Sequence, residues 1–195
     1  GTAQGGLYRT INGGTTWTPI MDNAQSLAIG AIAISPSSPE TVYVGTGEPN
    51  FSADSYFGVG VYRIDNASTT ATLSGPFNLD AGAANIFSGR AIGKIIVHPT
   101  NPAVIFVCST SGVGGIISAS GTTPSRGIYR CDNATAANPV FNKLTGLLGN
   151  IDASVHDITI DPNNANILLA VVLVGGGSGG IHRSINALDP TPANV

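Results

Sequence analysis

The chain has 195 residues, of which 42% are hydrophobic and 10% charged, and its formal net charge at pH 7 is −3. This balance excludes the clustered Lys and Arg of a nucleic-acid-binding surface, and a mean hydropathy of +0.23 excludes a largely disordered chain. The longest apolar run, Ile167 to Val174, has eight residues, whereas a membrane-spanning helix needs roughly 20.

The first predicted strand carries a motif that recurs four times along the chain. It has two strand-forming or apolar residues before an Arg, and an Asn stands three residues after that Arg. The copies are Leu7-Tyr8-Arg9, Val61-Tyr62-Arg63, Ile128-Tyr129-Arg130 and Ile181-His182-Arg183. After three of these motifs an aromatic residue opens a further short strand, at Trp17, Phe77 and Phe141. Because the four arginines share one position of a repeat, we interpret them as structural.

A second motif is an apolar run that ends at a proline, and its prolines, Pro36, Pro99 and Pro162, are spaced by 63 and 63 residues. A polar turn and another apolar run follow each proline. One repeat therefore has four strands: A before the proline, B after the turn, C with the Arg and D at the aromatic residue. Such β-branched and aromatic runs favour strands, and no window keeps the 3.6-residue period of an amphipathic helix.

Four-stranded units in tandem predict an all-β fold, a β-propeller with antiparallel four-stranded blades. The chain supplies the end of one blade in residues 1–26, blades in residues 27–80 and 81–145, and an incomplete blade in residues 146–195. This amounts to about three blades, whereas a closed ring has 4–8. The sequence thus predicts part of one propeller domain, a partial ring within a longer protein.

The turns between strands C and D share an Asn, and the first of them, Thr10 to Trp17, reads Thr-Ile-Asn-Gly-Gly-Thr-Thr-Trp. This segment resembles the Asp-box of sialidase-type, sortilin-type and glycosyl-hydrolase-like repeat propellers, with Asn12 at the Asp position. The resemblance implies a structural turn that lies away from the ligand face. It assigns this role to Asn12, Trp17, Asn66, Asn133 and Asn186.

The long and dissimilar loops lie on one face of the predicted propeller. The B–C connections (Thr46–Gly58, Ser109–Gly127, Gly175–Gly180) and the D–A connections are dissimilar, whereas the A–B turns are short and alike. Binding sites concentrate in variable loops on a rigid scaffold, so we expect any ligand on this side, which we name the loop face. Its non-repeating polar and aromatic candidates are Arg90, Arg126 and Tyr56.

The 63-residue offset aligns Lys94 with Asp157 on neighbouring blades near the central channel. They are candidates for ligand contact, but an ion pair between blades explains them as well and is the interpretation we favour. His156 aligns with Gly30 and Gly93 and has no counterpart in the other blades, so it is a further loop-face candidate.

Two carboxylates, Glu48 and Asp54, lie in the first long B–C loop close to Tyr56. Paired carboxylates beside aromatic residues suit glycoside hydrolysis, in which one acts as acid and the other as base or nucleophile. Solvated loop charges also explain them, and this is the interpretation we favour. We therefore retain Glu48, Asp54 and Asp157 only as weak catalytic candidates and expect no assigned catalytic residue.

The chain has two cysteines, Cys108 and Cys131, on neighbouring predicted strands. A single disulfide between them is possible, and two buried thiols are the alternative. No zinc-ligand spacing or acidic calcium loop occurs in the sequence, so we expect no metal and no cofactor.

The blade repetition and the lack of a convergent catalytic set favour a non-enzymatic module for binding, adhesion or assembly. The alternative is part of a glycoside hydrolase with carboxylates on the loop face. We expect a glycan, another surface protein or further copies of the chain as partners, and neither nucleic acid nor a membrane span. The amide-rich, lysine-poor surface favours an extracellular or cell-surface location, with the periplasm as a further possibility.

Overall fold

The computed structural model describes the chain except for residues 51, 53, 111–122, 147–151 and 174–178. The described residues form short strands and one short 3-10 helix, Pro192–Asn194. The strands are β1 (Tyr8–Arg9), β2 (Thr18–Pro19), β3 (Ile29–Ser35), β4 (Ser38–Thr46), β5 (Val61–Asp65), β6 (Thr72–Phe77), β7 (Ala91–Val97), β8 (Ile105–Thr110), β9 (Gly127–Cys131), β10 (Phe141–Lys143), β11 (Ser154–Asp161), β12 (Asn164–Leu173) and β13 (Gly180–Ser184).

Each strand pairs antiparallel with its neighbour in the sequence, and the strands form separate small sheets. The orders are β3-β4-β5-β6, β7-β8-β9-β10, β11-β12-β13 and β1-β2. This arrangement confirms the all-β prediction of antiparallel four-stranded blades in a partial ring. Within the described ranges, no helix has the length and apolar character that a membrane crossing requires.

The sheets pack face against face in chain order, with their A strands side by side. Strand β7 lies against β3 and β4, and β11 lies against β7 and β8. Three apolar cores fill the spaces: one joins β1–β2 to the first blade, one joins the first blade to the second, and one joins the second to the third. The buried surface therefore lies between blades, which is how a propeller is stabilised.

Strand D of the first complete blade differs from the prediction. The sequence pattern predicts that this strand begins at Phe77. In the structure, β6 runs from Thr72 to Phe77, so Phe77 is its last residue. The register against β5 shifts between Val61 and Arg63, so that Phe77 pairs with Val61 and Ser74 with Arg63. This irregularity allows the strand to begin earlier than the aromatic residue indicates.

The repeated arginines join each blade to the next. In three of the four copies, Nη1 donates to two main-chain carbonyl oxygens of the turn between strands C and D in the following blade. We name this arrangement the arginine clasp. Its bonds run from Arg9 to Ala67 and Thr69 (both 2.7 Å), from Arg63 to Ala134 and Ala136 (both 2.9 Å), and from Arg130 to Ala187 and Asp189 (both 2.8 Å).

Every A strand contains a β-bulge at the same position of the repeat. The register against strand B shifts between Ile29 and Ala31, between Ile92 and Lys94, and between Val155 and Asp157. The residue between each pair is Gly30, Gly93 or His156. A Cβ at Gly30 would lie 2.3 Å from the carbonyl oxygen of Ile92 in the next blade, so only glycine fits there.

The cysteines form no disulfide, which corrects the pairing considered from the sequence. Cys108 lies opposite Ile128, and Cys131 lies opposite Ile105, so the two cysteines are not cross-strand partners. Their side chains pack in different cores, on opposite faces of the sheet. Burial raises the pKa of both thiols, that of Cys131 to about 11, which is the state of two packed, unreactive side chains.

The Asn of each C–D turn sits where the chain reverses. The Asn12 Oδ1 accepts from the Thr16 amide at 3.0 Å, and the Asn133 Oδ1 accepts from the Val140 amide at 2.9 Å. The Asn186 main-chain amide donates to Ser184 Oγ at 3.3 Å, and the Asn186 Oδ1 accepts from that hydroxyl at 3.1 Å. Asn66 contributes through its backbone, which is left-handed with φ of 55°, a conformation that Asn tolerates better than most residues.

Candidate functional site

The loop face carries a groove of about 350 Å³ between the N-terminal segment and the first complete blade. One wall is the D–A connection from Gln25 to Ala28, and the other is the end of the first B–C loop, with Tyr56, Phe57 and Val59. Gln4 of the N-terminal segment also lines the groove. The groove therefore combines two aromatic rings with two primary amides that can donate and accept hydrogen bonds.

Hydrogen bonds hold the B–C loop that carries the two aromatic residues. The Glu48 amide donates to the Tyr56 carbonyl at 2.8 Å, and the Tyr56 amide donates to Glu48 Oε2 at 2.7 Å. At the base of the loop, Thr46 Oγ1 donates to the Gly60 carbonyl at 2.7 Å and accepts from the Val59 amide at 2.9 Å. The rings are thus presented on a braced loop, which lowers the entropic cost of binding.

Glu48 and Asp54, the paired carboxylates considered for glycoside cleavage, have separate local partners. The Glu48 carboxylate braces the loop through Tyr56, whereas Asp54 is exposed and accepts a hydrogen bond from the Ser52 hydroxyl. That bond holds the pKa of Asp54 below its usual range. A general acid at neutral pH needs a raised pKa, so the environment of Asp54 does not suit that role.

A second group of loop-face residues gathers where the second and third blades meet. Arg126 forms a bidentate pair with Asp152, with Nε to Oδ1 at 2.9 Å and Nη2 to Oδ2 at 3.0 Å. The buried Arg90 donates from Nε to the Pro124 carbonyl at 2.7 Å. Lys143 donates from Nζ to Ser125 Oγ at 2.5 Å. The structure thus brings together Arg90 and Arg126, the two non-repeating arginines predicted for this face.

Burial and charge act in opposite directions on these groups. Burial lowers the pKa of Arg90, and the negative charge of Asp152 partly offsets this effect. Burial alone would raise the pKa of Asp152, but hydrogen bonds from Arg126 outweigh it and hold the pKa below the usual range. Asp152 is therefore ionised at neutral pH and holds Arg126 in place beside β11.

We expect Asp152→Asn to destabilise the protein at pH 7 by about 0.5–1 kcal/mol, because the carboxylate is about half exposed and its ion pair is screened. The folded pKa is depressed, so this stability is present above the unfolded pKa of about 3.9 and is lost as the pH falls below it. Urea unfolding of both proteins from pH 7 to pH 3 should show the difference shrinking toward zero. A constant difference at all pH values would contradict this account.

The pair aligned by the 63-residue offset is in contact. Lys94 Nζ lies 3.2 Å from Asp157 Oδ1, and Asp157 also accepts from the Ile158 amide at 3.0 Å. Both side chains are about half exposed, and the pair joins the A strands of two neighbouring blades. His156, beside it, occupies the bulge of its strand, and burial lowers its pKa. The interblade ion pair that we favoured is thus present.

The sequence did not indicate several residues of these two sites. Gln4 and Gln25 lie in segments without a repeat partner, and Lys143 and Asp152 flank the D–A connection after the second blade. Their only signal was position, because each lies in or next to a connection that opens on the loop face. The described residues contain no group of His, Cys, Asp or Glu that could hold a metal ion.

No protein-family model and no curated protein matches this sequence. Among solved structures, the chain is similar to the GH74 xyloglucanase from Xanthomonas campestris, with 19% identity and a TM-score of 0.63 over 96% of this chain. It is also similar to an ancestral GH74 enzyme, with 18% identity and a TM-score of 0.59 over 95%. The chain spans 25% and 21% of those proteins. At such identities the likeness shows the fold alone, that of a β-propeller sector.

Proposed function

We propose that this propeller sector binds a polysaccharide in the groove between Gln25–Ala28 and Tyr56–Val59, as a module of a carbohydrate-active protein. The observation that carries the proposal is the pairing of two aromatic rings with two amides in a braced groove on the loop face. The fold likeness to GH74 enzymes supports the class of ligand, and xyloglucan is the polymer that the name of one neighbour supplies.

The groove suits a neutral sugar chain for two reasons. A pyranose ring presents an apolar face of C–H groups, which packs on an aromatic ring such as Tyr56 or Phe57. Its hydroxyl groups are both donors and acceptors, as are the primary amides of Gln4 and Gln25. None of the described residues that line the groove is Lys or Arg, so the proposed ligand is uncharged.

We propose binding rather than hydrolysis as the role of this segment. Glu48 and Asp157 have structural partners, and Asp54 lacks the environment of a general acid. The fold likeness keeps hydrolysis as the second candidate, with Glu48 beside the groove as its carboxylate. The second candidate would be favoured if the parent chain releases reducing sugar from xyloglucan and Glu48→Gln abolishes this release but still binds the polymer.

Isothermal titration calorimetry with xyloglucan oligosaccharides tests the binding proposal. We expect Tyr56→Ala and Phe57→Ala each to weaken binding about tenfold, because each removes a ring from the groove. The matched control is Trp17→Ala, which removes an exposed aromatic ring from the C–D turn on the opposite face. It should leave the dissociation constant within about twofold of the parent.

Two results would overturn the proposal: no heat of binding with neutral oligosaccharides, or equal losses in Tyr56→Ala and Trp17→Ala. The proposal implies an extracellular protein, since structural polysaccharides such as xyloglucan are encountered outside the cell. It also retains the turn at Thr10–Trp17 as an Asp-box, a structural device remote from the groove.

A further inference from the structure

The outer face of the third blade exposes residues whose counterparts are buried in the other blades. In strand C, Leu7, Val61 and Ile128 are 5%, 0% and 1% exposed because each faces the following blade, whereas Ile181 is 77% exposed. In strand B, Tyr43 and Phe106 are buried, whereas their counterpart Leu169 is exposed. The open face is thus built as an interblade surface.

The open face also has an arginine without its usual acceptors. Arg9, Arg63 and Arg130 each clasp two carbonyl oxygens of the following blade. Arg183 holds the same position of the repeat, but its side chain is exposed and its guanidinium has no hydrogen bond to the described part of the chain. A shallow groove of about 200 Å³, lined by Leu169, Val171 and Ile181, lies on the same face.

We propose that this open face binds a further propeller blade that continues this ring, and that Arg183 clasps two carbonyl oxygens of its C–D turn. The occupant is specified by the interfaces already present in the chain. Its A strand carries two aliphatic side chains that cover Leu169 and Ile181, as Ile95 and Val97 of β7 contribute to the core they share with Tyr43 and Val61. Its turn presents the two carbonyl acceptors.

The repeat supplies the sequences for two extended chains that test the proposal. Thr69, Ala136 and Asp189 each provide the second carbonyl acceptor of an arginine clasp, so the chain can be joined after these equivalent positions. One extended chain joins residues 1–189 to a second copy of residues 137–195. The other joins residues 1–189 to a second copy of residues 70–146. Each extended chain adds a strand D to the third blade and then a following blade. Two chains are made because one junction could prevent folding even if the proposed interface is correct.

Urea unfolding of Arg183→Ala and Ile181→Ala, made in the parent chain and in both extended chains, tests the proposal. In the extended chains we expect Arg183→Ala to raise the unfolding equilibrium constant about 10- to 100-fold, because two hydrogen bonds to a charged group are lost. In the parent chain the change should stay below about twofold, since the side chain is exposed. Ile181→Ala should follow the same pattern.

Equal effects of Arg183→Ala in the parent and in either well-folded extended chain would overturn the proposal. So would two extended chains that both unfold more readily than the parent. A third result would also overturn the proposal. If the parent chain is a dimer, and Ile181→Ala makes it a monomer but leaves the stability of the extended chains unchanged, the open face binds a second copy of the chain.

Discussion

Phe87→Ala is expected to destabilise the protein by about 3–5 kcal/mol, a large part of the stability of a domain of this size. Phe87 is fully buried in the core between the first and second blades. Its ring meets Tyr129 edge-on, with centroids 5.0 Å apart, and Phe141 in the same way at 5.1 Å. Truncation removes both ring contacts and leaves a cavity that strands on two blades cannot collapse to fill.

Urea unfolding with a constant m-value measures this loss. Phe87→Leu keeps most of the buried volume, so its cost should be less than half that of the alanine variant. Ile11→Ala, at a position that is 76% exposed, is the surface control and should change stability by less than about 0.5 kcal/mol. A cost of Phe87→Ala below about 1 kcal/mol would refute the packing described for this core.

Arg130→Ala is expected to cost about 2–4 kcal/mol through loss of the arginine clasp. The guanidinium is almost fully buried, and Nη1 donates to the carbonyl oxygens of Ala187 and Asp189, both at 2.8 Å. It also pairs with Asp132 at 2.9 Å. Alanine would leave two turn carbonyls without a donor and the carboxylate of Asp132 without its cation, and unpaired polar groups at such a site are costly.

Two further variants separate the clasp from the charge. Arg130→Lys keeps the positive charge but not the planar fork, so we expect it to retain less than half of the stability lost in Arg130→Ala. Arg183→Ala removes the same residue type from an exposed position of the same repeat, and it should cost less than about 0.5 kcal/mol in the parent chain. Equal costs at positions 130 and 183 would contradict the clasp.

The repeat made the architecture predictable. Two prolines 63 residues apart align not only the strands but individual side chains, and this is why the contact between Lys94 and Asp157 could be expected before the structure was known. The structural role of the repeated arginines could be inferred for the same reason. A residue that recurs at one position of every blade meets the same neighbours in each of them.

The hydrogen-bond partners of the repeated arginines could not be predicted, because they depend on how one blade is rotated against the next. The carbonyl acceptors of Arg130 come from a turn 57 and 59 residues further along the chain, and main-chain carbonyls leave no mark in a sequence. The aromatic trio around Phe87 joins a connection to two strands. The groove at Tyr56 likewise forms between segments that have no repeat relation to each other.

The most direct test of the proposed binding site is a backbone amide chemical-shift titration of the 19.6 kDa chain with the oligosaccharide. We predict that the largest shifts occur at Gln25–Ala28 and Tyr56–Val59, on the two walls of the groove. Amides of the Thr10–Trp17 turn, on the opposite face, should remain unchanged. Largest shifts at that turn, or at the exposed strands of the third blade, would contradict a site on the loop face.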